Sequence, residues 1–441
     1  MSRKKLILVN TALLTFSTLL IRMIGMLFQA WLASHLGAEG IGLYQLSGSV
    51  TVLFSVFAVS GVRFAATKMV SEESAGHSGG NASAVMRCCA IYAMLFGFLS
   101  CALLWCSAKP LGFLWIGDAR VVLALRVASA AMPFIALSSV LTGYYTACGR
   151  IWKMVLVQLL VTLIGAGISV VLLLQTDLFD LEKTCAVITF GSVLSETLGF
   201  AFLLLFYLGE SSHQNTEKKP GSNMTKRMLT AALPLALSSY TRTALSTLEH
   251  LLIPKGLRLS GLSADAALSG YGVVHGMALP AVLFPSCLLG SLSELIVPEL
   301  TRSKAQRQIA RVRHIVRSCR TGALFYAAIS AALLFCLAEP IAEHIFHNAE
   351  CTKSIRLLAP LIPVMNLDTI TDGCLRGLGQ QSRVMAINIL DAALGVTFVL
   401  LLLPSGGLKG YIQMIWITET VNCLLSSFSL RQTLKAENAS G

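Results

Sequence analysis

Residues 151–174 read IWKMVLVQLLVTLIGAGISVVLLL and carry a single charged side chain, Lys153. A transmembrane helix needs about 20 predominantly apolar residues, because a helix satisfies its own backbone hydrogen bonds across the hydrocarbon core. About twelve stretches of this length and character follow one another along the chain. The sequence therefore predicts an all-α polytopic membrane protein with about twelve transmembrane helices.

The composition of the whole chain supports this prediction. Of its 441 residues, 55% are hydrophobic and 13% are charged, whereas soluble globular proteins have a charged fraction of about 25%. A soluble enzyme with one large core, a disordered chain and a fibrous protein are therefore excluded. The 12 cysteines are scattered among the apolar stretches, without metal-ligand spacing. They indicate small buried residues, and neither a disulfide framework nor a metal site is expected.

The chain contains an internal repeat. In its upstream part the offset between the halves shortens, so that Gly61 pairs with Gly290 and Arg22 with Arg242, and from Arg126 onward the halves match in one constant register. This register superposes Arg126 on Arg356, Pro133 on Pro363, Gly143 on Gly373, Lys153 on Arg383 and Gly165 on Gly395. Prolines that kink helices and glycines that allow close packing constrain a fold strongly. Their recurrence in one register indicates two copies of the same helical arrangement.

The repeat predicts a domain organisation. We expect an N-terminal six-helix lobe at 1–208, a cytoplasmic linker at 209–226, a C-terminal six-helix lobe at 227–430 and a cytoplasmic tail at 431–441. Because each copy has an even number of spans, both copies enter the membrane in the same direction. Parallel repeats of this kind occur in transporters that work by alternating access.

The basic residues predict the orientation. The chain has 34 Lys and Arg against 22 Asp and Glu. One set of alternate loops carries 22 of the basic residues, seven of them at 302–320, and the opposite set carries nine. Cytoplasmic loops are enriched in Lys and Arg, so both termini are expected in the cytoplasm. The same rule explains the excess of basic over acidic residues, so no nucleic-acid partner is expected. The basic run at 302–320 would also suit anionic lipid headgroups.

Enzyme chemistry is not indicated. No GxxxxGK[ST] phosphate-binding loop occurs in the sequence, so hydrolysis of ATP on this chain is not expected. The loops are too short for an enzyme domain and carry no hydrolytic or redox constellation. We therefore expect no catalytic residues, no cofactor and no metal, and the candidates are a secondary carrier and a flippase.

Three arginines are the candidate substrate-binding residues. Arg22 lies deep in the first span, Arg242 lies at the matching position of the seventh, and Arg63 lies within the second. A charged residue within a span costs at least about 2.5–3.5 kcal/mol, so it normally faces a cavity or a partner. A guanidinium offers a fork of donors suited to phosphate. The alternative is that each arginine pairs with an acid or with helix carbonyls and only fixes packing.

Four other ionisable residues are candidates for ion coupling. Glu249, Asp368, Asp372 and His275 fall in or near spans, where carboxylates bind coupling ions and histidines relay protons. The alternatives are structural. The acids would neutralise arginines, with Asp372 and Arg376 one helical turn apart as a local pair, and His275 would hydrogen-bond to a helix carbonyl.

Several blocks of the sequence carry a family resemblance. They are STLLIRMIGMLFQAWLASHLGAEGIGLYQL at 17–46, SGVRFAATKMVSEE at 60–73, the stretch 252–305 and LIPVMNLDTITDGCLRGLGQQ at 361–381. Together they resemble the stage V sporulation protein B group, in the polysaccharide-transporter branch of the multidrug/oligosaccharidyl-lipid/polysaccharide (MOP) exporter superfamily. The resemblance implies two lobes of the MATE/MOP type and flipping of lipid-linked saccharides. In sporulating bacteria it implies a role in spore cortex peptidoglycan.

The leading hypothesis is a flippase of the bacterial cytoplasmic membrane. It would move an undecaprenyl-pyrophosphate-linked oligosaccharide or peptidoglycan precursor to the outer leaflet, with the pyrophosphate on Arg22 and Arg242. Its expected partners are this lipid, membrane lipids and cell-wall or polysaccharide synthases. One alternative is a cation-coupled multidrug antiporter that uses Glu249, Asp368 or Asp372 as its ion switch. The other is a non-transporting scaffold for cell-wall synthesis.

Overall fold

The computed structural model describes residues 3–75, 82–175, 180–211 and 223–439, and these ranges are helical with no strand. The α-helices of the first part of the chain are α1 (Arg3–Val59), α2 (Val62–Ala75), α3 (Ala82–Pro110), α4 (Val121–Ser129), α5 (Met132–Ala147), α6 (Ile151–Leu173), α7 (Leu181–Ser211) and α8 (Asn223–Leu259). Those of the second part are α9 (Ala264–Tyr271), α10 (Leu279–Leu283), α11 (Ser286–Ala305), α12 (Ile309–Cys336), α13 (Ala338–Pro340), α14 (Glu350–Leu358), α15 (Ile362–Gly377) and α16 (Gln381–Ala439).

Short irregular helices join several of these elements. Three are π-helical, at Leu111–Ile116, Gly272–Ala278 and Ile341–Ile345, and a 3₁₀ turn lies at Ala359–Leu361. The helical path is also interrupted before α11, because α10 ends at Leu283 and α11 begins at Ser286, directly after Pro285.

The helices are long and apolar enough for a membrane protein. Among the described residues, seven qualify as candidate spans, or eight when α4 and α5 are counted as one bent span. Two of the seven, Phe16–Glu73 and Gln381–Glu437, contain 58 and 57 residues, more than twice the roughly 20 that one crossing needs. Each contains a glycine with non-helical backbone angles, Gly37 at φ 70° and Gly407 at φ 54°. The chain is thus a multi-pass all-α membrane protein, and twelve spans stay a prediction.

The chain divides into two compact units. The first comprises Met1–Ser17 and Leu46–Thr247, and the second comprises Thr18–Gln45 and Leu248–Gly441. Because the boundaries fall within helices, α1 and α8 each contribute to both units. This division does not test the boundaries of the lobes, linker and tail that the sequence predicts, and those boundaries remain predictions.

In the first unit, α5 packs against α2, α3 and α7, and α6 packs against α7. The contact between α2 and α5 is close at Gly143, where a Cβ atom would lie 2.6 Å from the carbonyl oxygen of Arg63. Thr67 Oγ1 also donates a hydrogen bond of 3.1 Å to the Gly143 carbonyl oxygen. Only glycine allows the two backbones to approach this closely.

The second unit repeats this arrangement. Its α15 packs against α11, α12 and α16, and a Cβ atom on Gly373 would lie 2.9 Å from the carbonyl oxygen of Ser293. The register of the repeat superposes Gly143 on Gly373, and their partners Arg63 and Ser293 lie within one residue of equivalent positions, since Gly61 pairs with Gly290. The register found in the sequence therefore also relates backbone contacts inside the two units.

Irregular backbone recurs in the same register. The π-helix Leu111–Ile116 follows Pro110, and the π-helix Ile341–Ile345 follows Pro340. Each then reaches a residue with positive φ, Gly117 at 76° and His347 at 51°. The repeat superposes these two π-helices. Two copies of one helical arrangement explain why the backbone departs from a regular α-helix at equivalent points.

Candidate functional site: a charged cavity and a buried acidic cluster

The second unit contains a cavity of about 600 Å³. It is lined by Arg22, Gly25, Met26, Gln29, Pro280, Leu283, Phe284, Ser286, Cys287, Gly290, Ser293, Glu294, Thr369 and Arg376. Its volume is typical of small-molecule sites, which occupy about 300–1,000 Å³. Most of the wall comes from α1, α11 and α15.

Helical periodicity explains how these residues meet. The four residues of α1 follow the spacing i, i+3, i+4, i+7, which places them along one face of the helix. On α15, Thr369 and Arg376 are two helical turns apart and share a face in the same way. The cavity is therefore lined by residues that share one face of each helix. Its charged side chains extend from regular helices.

Three charged side chains line the cavity: Arg22, Glu294 and Arg376. All three residues are exposed. None belongs to an ion pair within 4 Å in the described part of the chain. The cavity thus holds two guanidinium groups and one carboxylate that are open to a ligand.

Close helix contacts fix the wall around Arg22. Gln29 Nε2 on α1 donates a hydrogen bond of 3.0 Å to the carbonyl oxygen of Gly276. Further along α1, beyond Gly37, a Cβ atom on Gly42 would lie 2.5 Å from the Leu268 carbonyl oxygen. On the α11 side, the place of a Gly290 Cβ is 3.7 Å from Arg22 Nη1. This is an ordinary van der Waals distance, so the Gly290 position directly borders the guanidinium.

The other two predicted arginines belong to the first unit. Both Arg242 and Arg63 are exposed, and Arg63 Nη2 lies 3.9 Å from the sulfur of Met154. The Arg242 helix is anchored by Tyr240, whose hydroxyl donates a 2.5 Å hydrogen bond to Ser60 Oγ. The structure thus brings Arg22 into the cavity of one unit and places Arg242 and Arg63 in the other unit.

A cluster of buried carboxylates lies elsewhere in the second unit. Asp368 and Asp372 of α15 are 9% and 8% exposed. Asp368 Oδ2 accepts a hydrogen bond of 3.1 Å from Asn422 Nδ2, and Asp372 Oδ1 accepts one of 3.3 Å from Ser426 Oγ. Both donors lie on α16. Asp372 therefore bonds to α16 while Arg376 lines the cavity. Their local pair is not an ion pair within 4 Å among the described residues, but the two charges are close enough to interact electrostatically.

Three further acids belong to this cluster. The carboxyl of Glu419 is close enough to interact electrostatically with Glu249, Asp368 and Asp391. A Cβ atom on Gly395 would lie 2.5 Å from Glu249 Oε2, so this glycine accommodates the carboxylate. Buried oxygens of two members, Asp368 Oδ1 and Asp391 Oδ1, have no hydrogen-bond partner.

His275 lies in a buried aromatic group. Its ring is 4.4 Å from His250 and stacks on Tyr271 at 5.1 Å, and Tyr271 in turn stacks on Tyr411 at 6.5 Å. His250 Nδ1 and the Tyr271 hydroxyl are buried without a hydrogen-bond partner. Within the ranges that the structure describes, no group of three or more His, Cys, Asp or Glu side chains could hold a metal ion.

The sequence reasoning missed two residues of the cavity. Glu294 was recognisable only as one of several acids in spans, and Arg376 counts as a loop residue in the orientation argument. The one signal for Arg376 is its distance of two helical turns from Thr369, which places both on one helix face. That spacing does not reveal that α1 forms the opposite wall.

Comparison with known proteins supports the fold and the family. The family model described as polysaccharide biosynthesis protein matches residues 7–304. Stage V sporulation protein B of Bacillus subtilis (strain 168) is 22% identical over 418 residues, covering 92% of this chain and 80% of the relative. Sporulation protein YkvU of the same organism is 22% identical over 414 residues, covering 92% and 90%.

Solved structures share the fold. An inward-facing multidrug resistance MATE family transporter of the MOP superfamily matches with a TM-score of 0.75 at 12% identity, covering 97% of this chain and 99% of that one. A MOP superfamily transporter from Pyrococcus furiosus matches with a TM-score of 0.68 at 14% identity, covering 97% and 96%. The resemblance found in the sequence blocks is confirmed. This chain is a multi-pass membrane protein that belongs to the polysaccharide biosynthesis protein family and has the fold of MOP superfamily transporters.

Proposed function

We propose that the protein is a flippase that moves an undecaprenyl-pyrophosphate-linked oligosaccharide or peptidoglycan precursor from the cytoplasmic to the outer leaflet by alternating access. The observation that carries the proposal is the cavity lined by Arg22, because an exposed guanidinium among helices suits a phosphate group. Membership in a polysaccharide biosynthesis family makes a saccharide carrier the natural cargo. The sporulation proteins among the relatives extend the proposal to spore cortex synthesis.

In this proposal the pyrophosphate binds Arg22, with Arg242 and Arg63 contributing from the first unit as the substrate passes. The lipid tail remains in the bilayer, where it needs no polar partner. The proposed moving bodies are the two lobes at 1–208 and 227–430, joined by the cytoplasmic linker 209–226. No covalent step is required, since the saccharide is moved and not altered.

The buried acids are the proposed coupling site. Asp368, Asp372 and Glu249, together with His275, would bind or release a proton or another cation as the lobes move. The support is the pair of buried carboxylate oxygens without hydrogen-bond partners, Asp368 Oδ1 and Asp391 Oδ1. A buried carboxylate of this kind is costly when charged and uncompensated, so its affinity for a cation is high.

The proposed location is the bacterial cytoplasmic membrane, with both termini and the basic stretch 302–320 on the cytoplasmic side. Proposed partners are cell-wall or polysaccharide synthases, which would supply the lipid-linked sugar on one side and consume it on the other.

The test is flipping of a fluorescent polyprenyl-pyrophosphate sugar in proteoliposomes, with an impermeant quencher reporting which leaflet holds the lipid. We expect wild type to transfer the lipid and Arg22→Ala to lose about tenfold or more of the rate. Arg356→Ala is the matched control, because Arg356 forms an exposed ion pair of 3.1 Å with Glu339. Full activity of Arg22→Ala at normal expression contradicts the proposal.

A second function is favoured by the same acidic cluster. A cation-coupled multidrug antiporter would use Asp368, Asp372 or Glu249 as its ion switch, and the MATE structures of the same fold are described as multidrug resistance transporters. Efflux of a cationic dye that depends on a proton or sodium gradient, without any transfer of the pyrophosphate lipid, would support this function instead.

A further inference from the structure

We propose that Arg376 is a second phosphate-binding residue, which forms with Arg22 a two-arginine anion site inside the second unit, and that Glu294 is an internal anion that limits the affinity of this site. The inference deepens the proposed function and rests on it, since it names the groups that would contact the pyrophosphate. Arg376 was expected from the sequence only as a basic residue of a cytoplasmic loop.

The first support is that both arginines line one cavity and, among the residues that the structure describes, have no carboxylate within 4 Å. Five other arginines of the described chain form ion pairs: Arg120 with Asp118, Arg150 with Glu210, Arg227 with Glu72, Arg311 with Glu299 and Arg356 with Glu339. Several others, such as Arg126 and Arg242, form none within the described ranges, so what sets Arg22 and Arg376 apart is the cavity that they share. Arg22 and Arg376 are exposed to a cavity of about 600 Å³ and form no ion pair within the described ranges. Two such guanidinium groups lining one cavity suit a ligand that carries two phosphates.

The second support is the part of the cavity wall beside Arg22. Gly25 has no atom within 4 Å of the place of its Cβ, and the place of a Gly290 Cβ is 3.7 Å from Arg22 Nη1. The ligand can therefore reach the guanidinium without meeting a side chain from either position. Gln29, Ser286 and Ser293 add amide and hydroxyl groups to the lining, which suit the remaining phosphate oxygens and sugar hydroxyls.

Glu294 explains how such a site releases its ligand. Its carboxylate lines the same cavity as the two arginines, so it attracts them when the site is empty and repels a phosphate that enters. A transporter must bind its substrate and also let it leave, and a like charge inside the site lowers the affinity. Replacing the carboxylate by an amide is therefore expected to tighten binding of an anion.

A purely structural role for Arg376 makes a different prediction. Arg376 lies in the last turn of α15, where any cation interacts favourably with the negative end of the helix dipole. Lysine would preserve that interaction, but it is a point charge without the planar fork of donors. Arg376→Lys therefore separates the two roles, since helix stabilisation survives and bidentate phosphate binding does not.

The experiment uses Cys287, which lines the cavity and is partly buried. In full-length protein with every other cysteine replaced, checked for retained folding by its thermal transition, the labelling rate of Cys287 reports occupancy of the cavity. Inorganic pyrophosphate is the probe and chloride at equal ionic strength is the reference. We expect pyrophosphate to slow labelling by about tenfold at saturation.

The variants then test each role. Arg376→Lys and Arg376→Gln should raise the half-protecting pyrophosphate concentration by about tenfold or more, and Glu294→Gln should lower it by about tenfold. Arg356→Lys, outside the cavity, should change nothing. Unchanged protection in both Arg376 variants, or absence of protection in the parent protein, overturns the inference.

The failure of the proposed function has a different signature. If inorganic pyrophosphate protects Cys287 in a manner that depends on Arg22 and Arg376, but no polyprenyl-pyrophosphate sugar crosses proteoliposomes, the anion site stands and the flippase proposal falls. If the lipid is flipped and Arg376→Lys flips it at the full rate with full protection, the flippase proposal stands and the role of Arg376 falls.

Discussion

A Cβ atom on Gly373 of α15 would lie 2.9 Å from the carbonyl oxygen of Ser293 on α11. Ser293 Oγ also donates a hydrogen bond of 2.9 Å to the carbonyl oxygen of Thr369, one turn before the glycine. These contacts hold α11 against α15, the two helices that supply Glu294 and Arg376 to the cavity. The contact that packs α11 against α15 therefore also positions Glu294 and Arg376 in the cavity.

Gly373→Ala should consequently destabilise the second unit. The added methyl group would meet both the hydroxyl and the carbonyl oxygen of Ser293. Rotation of the serine side chain relieves only the first of these contacts, so we expect a loss of about 1–3 kcal/mol in the free energy of unfolding. The measurement is the thermal transition of the purified protein in detergent. Gly322→Ala on α12 is the matched control, because nothing lies within 4 Å of its Cβ position, and it should be neutral or stabilise by up to about 1 kcal/mol. Equal transitions for the two variants would contradict the packing argument.

The same contact shows why the repeat was visible in the sequence. A backbone approach of this kind tolerates only glycine, so Gly143 and Gly373 mark equivalent contacts in the two units. Prolines before the two π-helices mark a second equivalent point. These constraints are local and are carried by residue type, which is why the register of the repeat was predictable.

The membership of the cavity was less predictable. Apolar residues that face lipid and those that face another helix look alike along a span, since lipid tails are as apolar as leucine. The pattern therefore gives the length of a helix and leaves its neighbours open. It did not indicate that Thr18–Gln45 of α1 belongs to the second unit, and this assignment is what brings Arg22 to the cavity of Arg376.

A second prediction concerns Ser60, a non-glycine residue with φ at 44° between α1 and α2. Its hydroxyl is hydrogen-bonded to Tyr92 at 2.7 Å and to Tyr240 at 2.5 Å. Ser60→Ala removes these bonds and keeps the backbone strain, whereas Ser60→Gly removes the bonds and relieves the strain. We expect the glycine variant to be more stable than the alanine variant by about 1 kcal/mol, measured by thermal unfolding. An alanine variant as stable as the glycine variant would show that the left-handed conformation costs nothing there.

Tyr240→Phe offers a complementary third prediction. It removes one hydroxyl from this group while Tyr92 still bonds to Ser60, so a loss of about 1 kcal/mol in the free energy of unfolding is expected. The effect should shrink in the Ser60→Ala background, because the 2.5 Å bond is gone and only the longer contact of 3.5 Å with the Phe57 carbonyl oxygen remains. Additive losses in the double variant would mean that the Tyr240 hydroxyl acts through another acceptor, the carbonyl oxygen of Phe57 at 3.5 Å, because the ring and its packing against Phe57 are kept in Tyr240→Phe.

A fourth prediction tests coupling at Asp368. Asp368→Asn mimics the protonated acid and keeps an acceptor for Asn422, so the helices should stay in place while the carboxylate can no longer take up a cation. We expect transport that no longer responds to a proton or sodium gradient, at a rate near that of wild type without a gradient. The control is Asp265→Asn in the first turn of α9, which is exposed. A full response to the gradient in Asp368→Asn would remove this acid from the coupling mechanism.

A fifth prediction tests the orientation of the repeats. Cys106 and Cys336 are both exposed and occupy equivalent positions of the repeat, so a parallel repeat places them on the same side of the membrane. Cys148, also exposed, lies beside the basic residues Arg150 and Lys153 that the loop count assigns to the cytoplasm. Single-cysteine proteins in intact cells should therefore react with an impermeant thiol reagent at Cys106 and Cys336, and at Cys148 only after the cells are opened. Labelling of Cys106 and Cys336 from opposite sides would mean that the repeats are inverted, because only an odd number of spans between equivalent positions exchanges the two faces.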